Sequence, residues 1–257
     1  MKRRVEEASR KRLHELAELV PEKVDPAFFG ETVEHALAFL EHIGSSVPRS
    51  PDADWQDLMR WQDALIEAEI PVGASVLDLG CGKGELLARL IDKKKVQGQG
   101  MELDHDAVLE CVERGVPVFH ADLDAGLDGF PDGHFDYVIL EETLQALHRP
   151  IDVLREMLRV GRRGIVSFPN FAYWRVRLEL AVRGRMPVTE RLPFRWYDTP
   201  NIHLFSLQDF LDWAHENQVR VLGGHVLAEG QVRPVRDDDN LYAEEALFVI
   251  EKRESDT

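Results

Sequence analysis

Three glycines at alternate positions, Gly80, Gly82 and Gly84, follow the short apolar run Ser75-Val76-Leu77-Asp78-Leu79. Glycine turns the backbone sharply at positive φ and leaves no Cβ in the path of a ligand. An acid, Glu102, stands 22 residues after Gly80, and a second, Asp122, comes one strand further on. A glycine bend with one carboxylate at the end of each of the next two strands suits a ligand rich in hydroxyl and amino donors. The glycine spacing taken alone is also what a tight strand-to-helix turn leaves behind.

The dinucleotide fingerprint G-x-G-x-x-G fails, because its third position is Glu85. A carboxylate at that helix start would repel a pyrophosphate. S-adenosylmethionine carries no phosphate and has a cationic sulfonium, so an acidic rim suits it, and Asp78 at the strand end supplies one carboxylate. Glu102 can accept from both ribose hydroxyls, as an acid at this place does in nucleotide-binding α/β folds. Asp104 is its rival, with helix capping as its better use. Asp122-Leu123 is placed to accept from the adenine amino group, although an ordinary turn aspartate reads the same way.

These residues need an alternating scaffold, and the pattern from residue 75 supplies one. Strands are expected at Ser75–Leu79, Val96–Leu103, Val116–Phe119, Phe135–Leu140 and Gly164–Phe168. Between them lie helices marked by Leu86, Leu87, Leu90 and Ile91, by Val108, Leu109 and Val112 behind an Asp104 cap, and by Leu154, Met157 and Leu158 behind Pro150. Later come a helix near Tyr173 to Val182, a second capped by Ser206 with Asp209 three positions on, and closing strands near Val219–Leu222 and Ala246–Ile250. The acidic stretch Arg236-Asp237-Asp238-Asp239-Asn240 reads as a solvated turn. The expected class is α/β, a doubly wound, mostly parallel Rossmann-like sheet.

Residues 1–65 differ, with apolar positions at helical spacing and a Pro/Ser-rich break at 44–51, and read as an N-terminal helical extension. A helix from Trp55 to Glu69 should pack its Leu58, Trp61, Leu65 stripe on the domain over residues 66–257. The extension is expected to cap the ligand mouth or to form a dimer surface.

Composition narrows the function. A formal charge of −16 over 257 residues disfavours nucleic acid as partner, because gripping phosphates takes clustered Lys and Arg. The Arg-rich stretch Arg175, Arg177, Arg183, Arg185, Arg191 and Arg195 is a local exception that could face an anionic substrate or a protein, or be a solvated face. Two cysteines, Cys81 and Cys111, are too few for a disulfide framework and fit a reducing cytoplasm. No run approaches the roughly 18 apolar residues of a membrane span, and no apolar signal core follows the basic start. The ten histidines form no ligand-spaced set, so no metal site is expected.

Val76-Leu77-Asp78-Leu79-Gly80-Cys81-Gly82, the acids Glu102 and Asp122, and Phe135-Asp136-Tyr137-Val138 together resemble class I S-adenosylmethionine-dependent methyltransferases. More narrowly, Thr143-Leu144-Gln145-Ala146, Leu154–Arg162, Ser167-Phe168-Pro169-Asn170-Phe171, Gly184–Val188 and Trp196-Tyr197-Asp198-Thr199-Pro200-Asn201-Ile202-His203 are similar to the methionine biosynthesis protein MetW family. The resemblance covers roughly residues 72–252. It implies a seven-stranded sheet with a reversed last strand and a role in methionine and hence amino-acid biosynthesis beside homoserine O-acyltransferase. It also implies S-adenosylmethionine, or S-adenosylhomocysteine, held at Asp78, Gly80, Cys81, Gly82, Gly84, Glu102, Leu103, Asp122, Leu123 and Glu141. Lys83 and Glu142 depart from the family pattern, where an acid and a Gln are expected, and Glu142 alters the acceptor side.

Methyl transfer mostly needs the acceptor held in line with the sulfonium methyl, with a base only if a proton must leave. The catalytic residue is therefore left open. Glu141 and Glu142 follow the fourth strand, where acceptor-side groups lie, but without the Asn/Asp-Pro-Pro-Tyr signature of amino-group methylation in DNA. His148, Tyr173, Tyr197, Asp198 and His203 are candidates for the acceptor pocket, each equally at home as a hydrogen-bonded structural residue. Trp174, Trp196 and Tyr197 could cage a cation or pack the loop. No G-x-S-x-G elbow supports a hydrolase. Two readings remain: a small-molecule methyltransferase, and a non-catalytic module that senses S-adenosylmethionine.

Overall fold

The computed structural model describes residues 61–253. Residues 1–60 of the extension expected over 1–65, and with them the start of the helix expected from Trp55, fall outside the described residues, while 61–65 lie in the first described helix. The described chain opens with helix α1 (Trp61–Glu69), and then strand and helix alternate: β1 (Ser75–Leu79), α2 (Glu85–Lys94), β2 (Gln97–Glu102), α3 (His105–Glu113), β3 (Val118–His120) and β4 (Phe135–Glu141). After α4 (Pro150–Val160) and β5 (Gly161–Pro169) come two helices, α5 (Trp174–Arg183) and α6 (Leu207–Glu216). The described chain closes with β6 (Val219–Ala228), β7 (Gln231–Pro234), the short α7 (Asp239–Tyr242) and β8 (Ala243–Lys252).

The strands form one sheet in the order β3-β2-β1-β4-β5-β8-β6-β7. The first five pair in parallel, and β8 lies antiparallel between β5 and β6. The sheet has the seven strands expected, with the last reversed, plus an eighth that sequence reasoning missed. That eighth strand, β7, is a four-residue hairpin return against the end of β6. Strand order reverses between β1 and β4, so the loop leaving β1 opens at the switch point where such sheets take ligands.

Side chains alternate across β1, and this divides the core. Leu77 and Leu79 join Val138, Leu140, Val166, Phe168 and Phe248 on one face, beneath α4 and α6. Val76 joins Ile139 and Ile165 on the other, with Trp61 and Ile66 of α1 and Leu86, Leu87 and Leu90 of α2. Both faces of the central strands are thus dry, which is why β1 reads as a nearly continuous apolar run. Burying each such Leu, Ile or Val contributes about 1.5–3 kcal/mol.

The expected caps form. Asp104 accepts from the Ala107 backbone N–H at the head of α3, and Ser206 and Asp209 make a reciprocal capping box on α6. Pro150 occupies the first turn of α4. Other expectations need correction. The third strand begins at Val118, because Val116 turns inward under Gly84, and β6 runs on to Ala228 to pair with β8. The acidic stretch 236–240 is not simply a solvated turn: Asp239 is fully buried and takes a bidentate pair from Arg233, at 2.7 and 2.6 Å.

Candidate functional site

The loop after β1 turns through three left-handed glycines, Gly80 at φ +73°, Gly82 at +53° and Gly84 at +72°, and each does different work. A Cβ on Gly80 would lie 2.6 Å from Thr143 Oγ1, so this residue lets the loop after β4 approach. A Cβ on Gly82 would meet nothing within 4 Å, which leaves open space above the bend. At Gly84 a Cβ would fall 2.9 Å from Cys111 Sγ, so that glycine seats α3 against the head of α2.

Glu102 closes on this bend. The Gly82 backbone N–H donates to its Oε2 at 2.8 Å, and the Leu103 and Asp104 N–H groups donate to Oε1, both at 2.8 Å. Three backbone donors fix the carboxylate, and Oε2 keeps acceptor capacity for a further donor. Asp122 caps a short 3₁₀ turn, accepting from Asp124 N–H at 2.9 Å, and Leu123 anchors that turn in the core.

A cleft of about 790 Å³ opens at the carboxyl ends of these strands, and Gly80, Glu102, Leu103, Asp122 and Leu123 all stand on its wall. This size lies within the roughly 300–1,000 Å³ of small-molecule sites. Five of the ten expected contacts therefore converge. The other five, Asp78, Cys81, Gly82, Gly84 and Glu141, are not on the wall. Asp78 is buried at the end of β1, and burial, with the charges of Asp63 and Glu102 behind it, pushes its carboxyl up to about 7. Cys81 packs its sulfur over Gly100, 3.9 Å from the sulfur of Cys111, and burial raises both thiols. Gly82 ties the bend to Glu102 through its N–H, and Gly84 packs against Cys111. Glu141 ends β4, and its carbonyl accepts from the Thr143 hydroxyl at 2.8 Å.

The opposite wall carries what sequence reasoning missed. Because β8 runs antiparallel, its first residues arrive at the carboxyl end of β5, where Glu245 pairs with Pro169. Glu245 is 3% exposed. Its Oε2 accepts from Trp61 Nε1 at 2.6 Å and from Gln62 Nε2 at 3.4 Å, and Arg191 Nε lies 3.8 Å away. Glu142 stands beside it and accepts from the same Gln62 amide at 2.9 Å. Burial first, then the Glu142 charge, pushes the Glu245 carboxyl up to about 8. Glu142 itself holds a left-handed φ of +47°, a conformation that costs a residue with a Cβ about 1–2 kcal/mol. Its backbone N–H is tied to Ser167 and its carbonyl accepts from Gln145 Nε2 at 2.6 Å. The available signal was Glu245 itself, an acid at an inward position immediately before the apolar run Ala246–Ile250.

The remaining candidates scatter. His148 is on the cleft wall. Tyr173 is buried in a separate small cluster with Val176 and Leu192. Asp198 accepts from the Arg195 N–H, Tyr197 and Trp196 pack edge to face at the surface, and His203 donates its backbone N–H to Gln145 O. The arginines do not form one face: Arg175 lies over the Trp174 ring, Arg177 donates to Ala172 O and Asn240 O, and Arg191 turns in toward Glu245. Lys83 pairs with Glu110 at 2.8 Å on the surface. Among the described residues no helix is long and apolar enough to cross a membrane.

Comparison with known proteins agrees with this architecture. The family model described as methionine biosynthesis protein MetW matches residues 60–250. A bifunctional methionine biosynthesis protein MetXA/MetW of Rhodopirellula baltica is 38% identical over 203 residues, covering 74% of this chain and 32% of that protein. A ribosomal protein L11 methyltransferase of Burkholderia vietnamiensis is 37% identical over 112 residues, 42% of this chain and 35% of the relative. The chain thus spans about a third of the length of these curated relatives. Among solved structures, a SAM-dependent methyltransferase from Archaeoglobus fulgidus superposes with a TM-score of 0.52 at 15% identity, over 77% of this chain and 98% of that one. The [4+2]-cyclase SpnF gives 0.58 at 18% identity, over 80% and 86%. At such identities the likeness shows the fold alone.

Proposed function

The chain belongs to the methionine biosynthesis protein MetW family, and from that membership we propose that it binds S-adenosylmethionine or S-adenosylhomocysteine as a methyltransferase-like protein of that pathway. The observation that carries the reading is the 2.8 Å contact from Gly82 N–H to Glu102 Oε2, which unites the glycine bend and the strand-two acid at one mouth of the cleft. The open space above Gly82, the remaining acceptor capacity of Glu102 and the nearby Asp122 fit a nucleoside. Leu103, 61% exposed, and Leu123 offer it apolar walls. Asp78 lies buried beneath the bend, where a cationic sulfonium nearby would favour its ionised form.

In this reading Glu102 accepts from the ribose hydroxyls, Asp122 accepts from the adenine amino group, and Gly80 lets the post-β4 loop close over the bend. Bound there, the cofactor would supply an electrophilic methyl group. The protein is proposed to work beside homoserine O-acyltransferase. The joined name of the R. baltica relative, MetXA/MetW, supports this, because partners that act together are also found fused in one chain.

The test is calorimetric titration of the full chain with S-adenosylhomocysteine. Glu102→Ala is expected to weaken binding at least about tenfold while circular dichroism remains native, since a charge-assisted contact is lost. Equal affinity in the two proteins would overturn the reading.

A further inference from the structure

We propose that the wall of the cleft formed by Glu142, Gln145 and Glu245 is a binding site for the primary ammonium group of a small organic amine. The site would be the acceptor end of the same cleft, and to that extent it rests on the cofactor reading above.

The first observation is an orphan acceptor. Gln145 lines the cleft, is 5% exposed and donates its Nε2 to the Glu142 carbonyl at 2.6 Å. That bond fixes which end of the amide is nitrogen. Its Oε1 is buried, and among the described residues no donor reaches it. Leaving a buried acceptor unpaired is unfavourable, so a donor from a ligand would recover what the protein alone forgoes.

The second observation is the paired carboxylates. Glu142 and Glu245 stand side by side, share the Gln62 amide, and face Trp61 and Arg191 from other elements. Glu245 is nearly wholly buried, so ionising it beside the Glu142 carboxylate is disfavoured, although Arg191 offsets part of that cost. Burial first, and then the Glu142 charge, leave the Glu245 carboxyl holding a proton at neutral pH.

Donor arithmetic selects the ligand. An ammonium has three N–H donors and no acceptor, and Gln145 Oε1 and the Glu142 and Glu245 carboxyl groups offer acceptors on this one wall. A hydroxyl offers one donor, and a quaternary ammonium offers none. The charge balance agrees: six acids line the cleft, Glu102, Asp122, Asp124, Glu142, Glu190 and Glu245, against a single arginine, Arg191. Such a cavity attracts cations, contrary to the anionic substrate that the arginine-rich stretch suggested. An incoming ammonium would displace the Glu245 proton to solvent and leave that carboxylate ionised against it.

The experiment uses the full chain and three probes of similar size: n-butylamine, n-butanol and tetramethylammonium. Thermal shift and calorimetry at neutral pH are expected to show binding of butylamine only. In buffers of different ionisation enthalpy, close to one proton should be released per amine bound. Glu245→Gln should weaken the amine at least about tenfold and abolish proton release, while S-adenosylhomocysteine binds as before. Glu142→Gln serves as the second variant should the first fail to fold. Butanol binding as well as butylamine, no amine binding at millimolar concentration, or undiminished amine binding in a folded variant would each overturn the proposal. Amine binding without nucleoside binding would overturn the cofactor reading instead and leave this site standing.

Discussion

Trp61 Nε1 donates to Glu245 Oε2 at 2.6 Å across 184 positions of sequence, tying the first described helix to the last strand at the floor of the cleft. The indole N–H is a donor only, and it is one of few groups that reach a carboxylate 3% exposed. The geometry of this wall therefore depends on how α1 docks against the sheet.

Trp61→Phe keeps most of the apolar packing and removes that donor. It should lower stability by about 1–3 kcal/mol in urea unfolding, the cost of an under-satisfied buried polar group. It should also raise the Glu245 carboxyl further, which moves amine binding to higher pH. A variant as stable as the parent would mean that the bond contributes nothing net.

The glycines of the bend should rank by what a Cβ would meet. Gly82→Ala carries only the left-handed backbone cost, about 1 kcal/mol, because nothing lies within 4 Å. Gly80→Ala adds a contact at 2.6 Å with Thr143 Oγ1, which would have to give up its bond to the Glu141 carbonyl. About 3 kcal/mol is expected there. Chemical denaturation of both variants checks the order, and the reverse ranking would refute this account of the loop.

Stability should fall as pH rises through the neutral range. The folded state raises Asp78 from 3.8 to about 7 and Glu245 from 4.5 to about 8. Between the ordinary and raised values the folded chain therefore binds more protons than the unfolded one, and stability decreases with pH over that window. The loss is complete above about pH 8. Asp78→Asn or Glu245→Gln should each flatten the slope between pH 5 and 8. Equal slopes in parent and variants would show that these carboxyls ionise freely.

Much of the frame and one side of the site were legible in the sequence, because their signals are local. The β1 run, the glycine bend, the Asp104 and Ser206 caps and the spacing to Glu102 all lie within a strand, a turn or a helix start. There, backbone geometry dictates residue type over a few positions. Even so, the sequence did not show that a Cβ at Gly84 would fall 2.9 Å from Cys111 Sγ, since packing and ligand approach both demand a missing Cβ.

The other side was decided only by tertiary structure. Glu142, Gln145, Arg191 and Glu245 come from three separate stretches, and Trp61 and Gln62 from a fourth. No period links them. They meet because β8 inserts antiparallel between β5 and β6, which carries its first residues to the ligand end of the sheet. Local chemistry in the sequence determined that a strand, a glycine bend and an acid would meet at one corner of the cleft. Strand order and direction, set by burial of both sheet faces, decided which distant acids would face it.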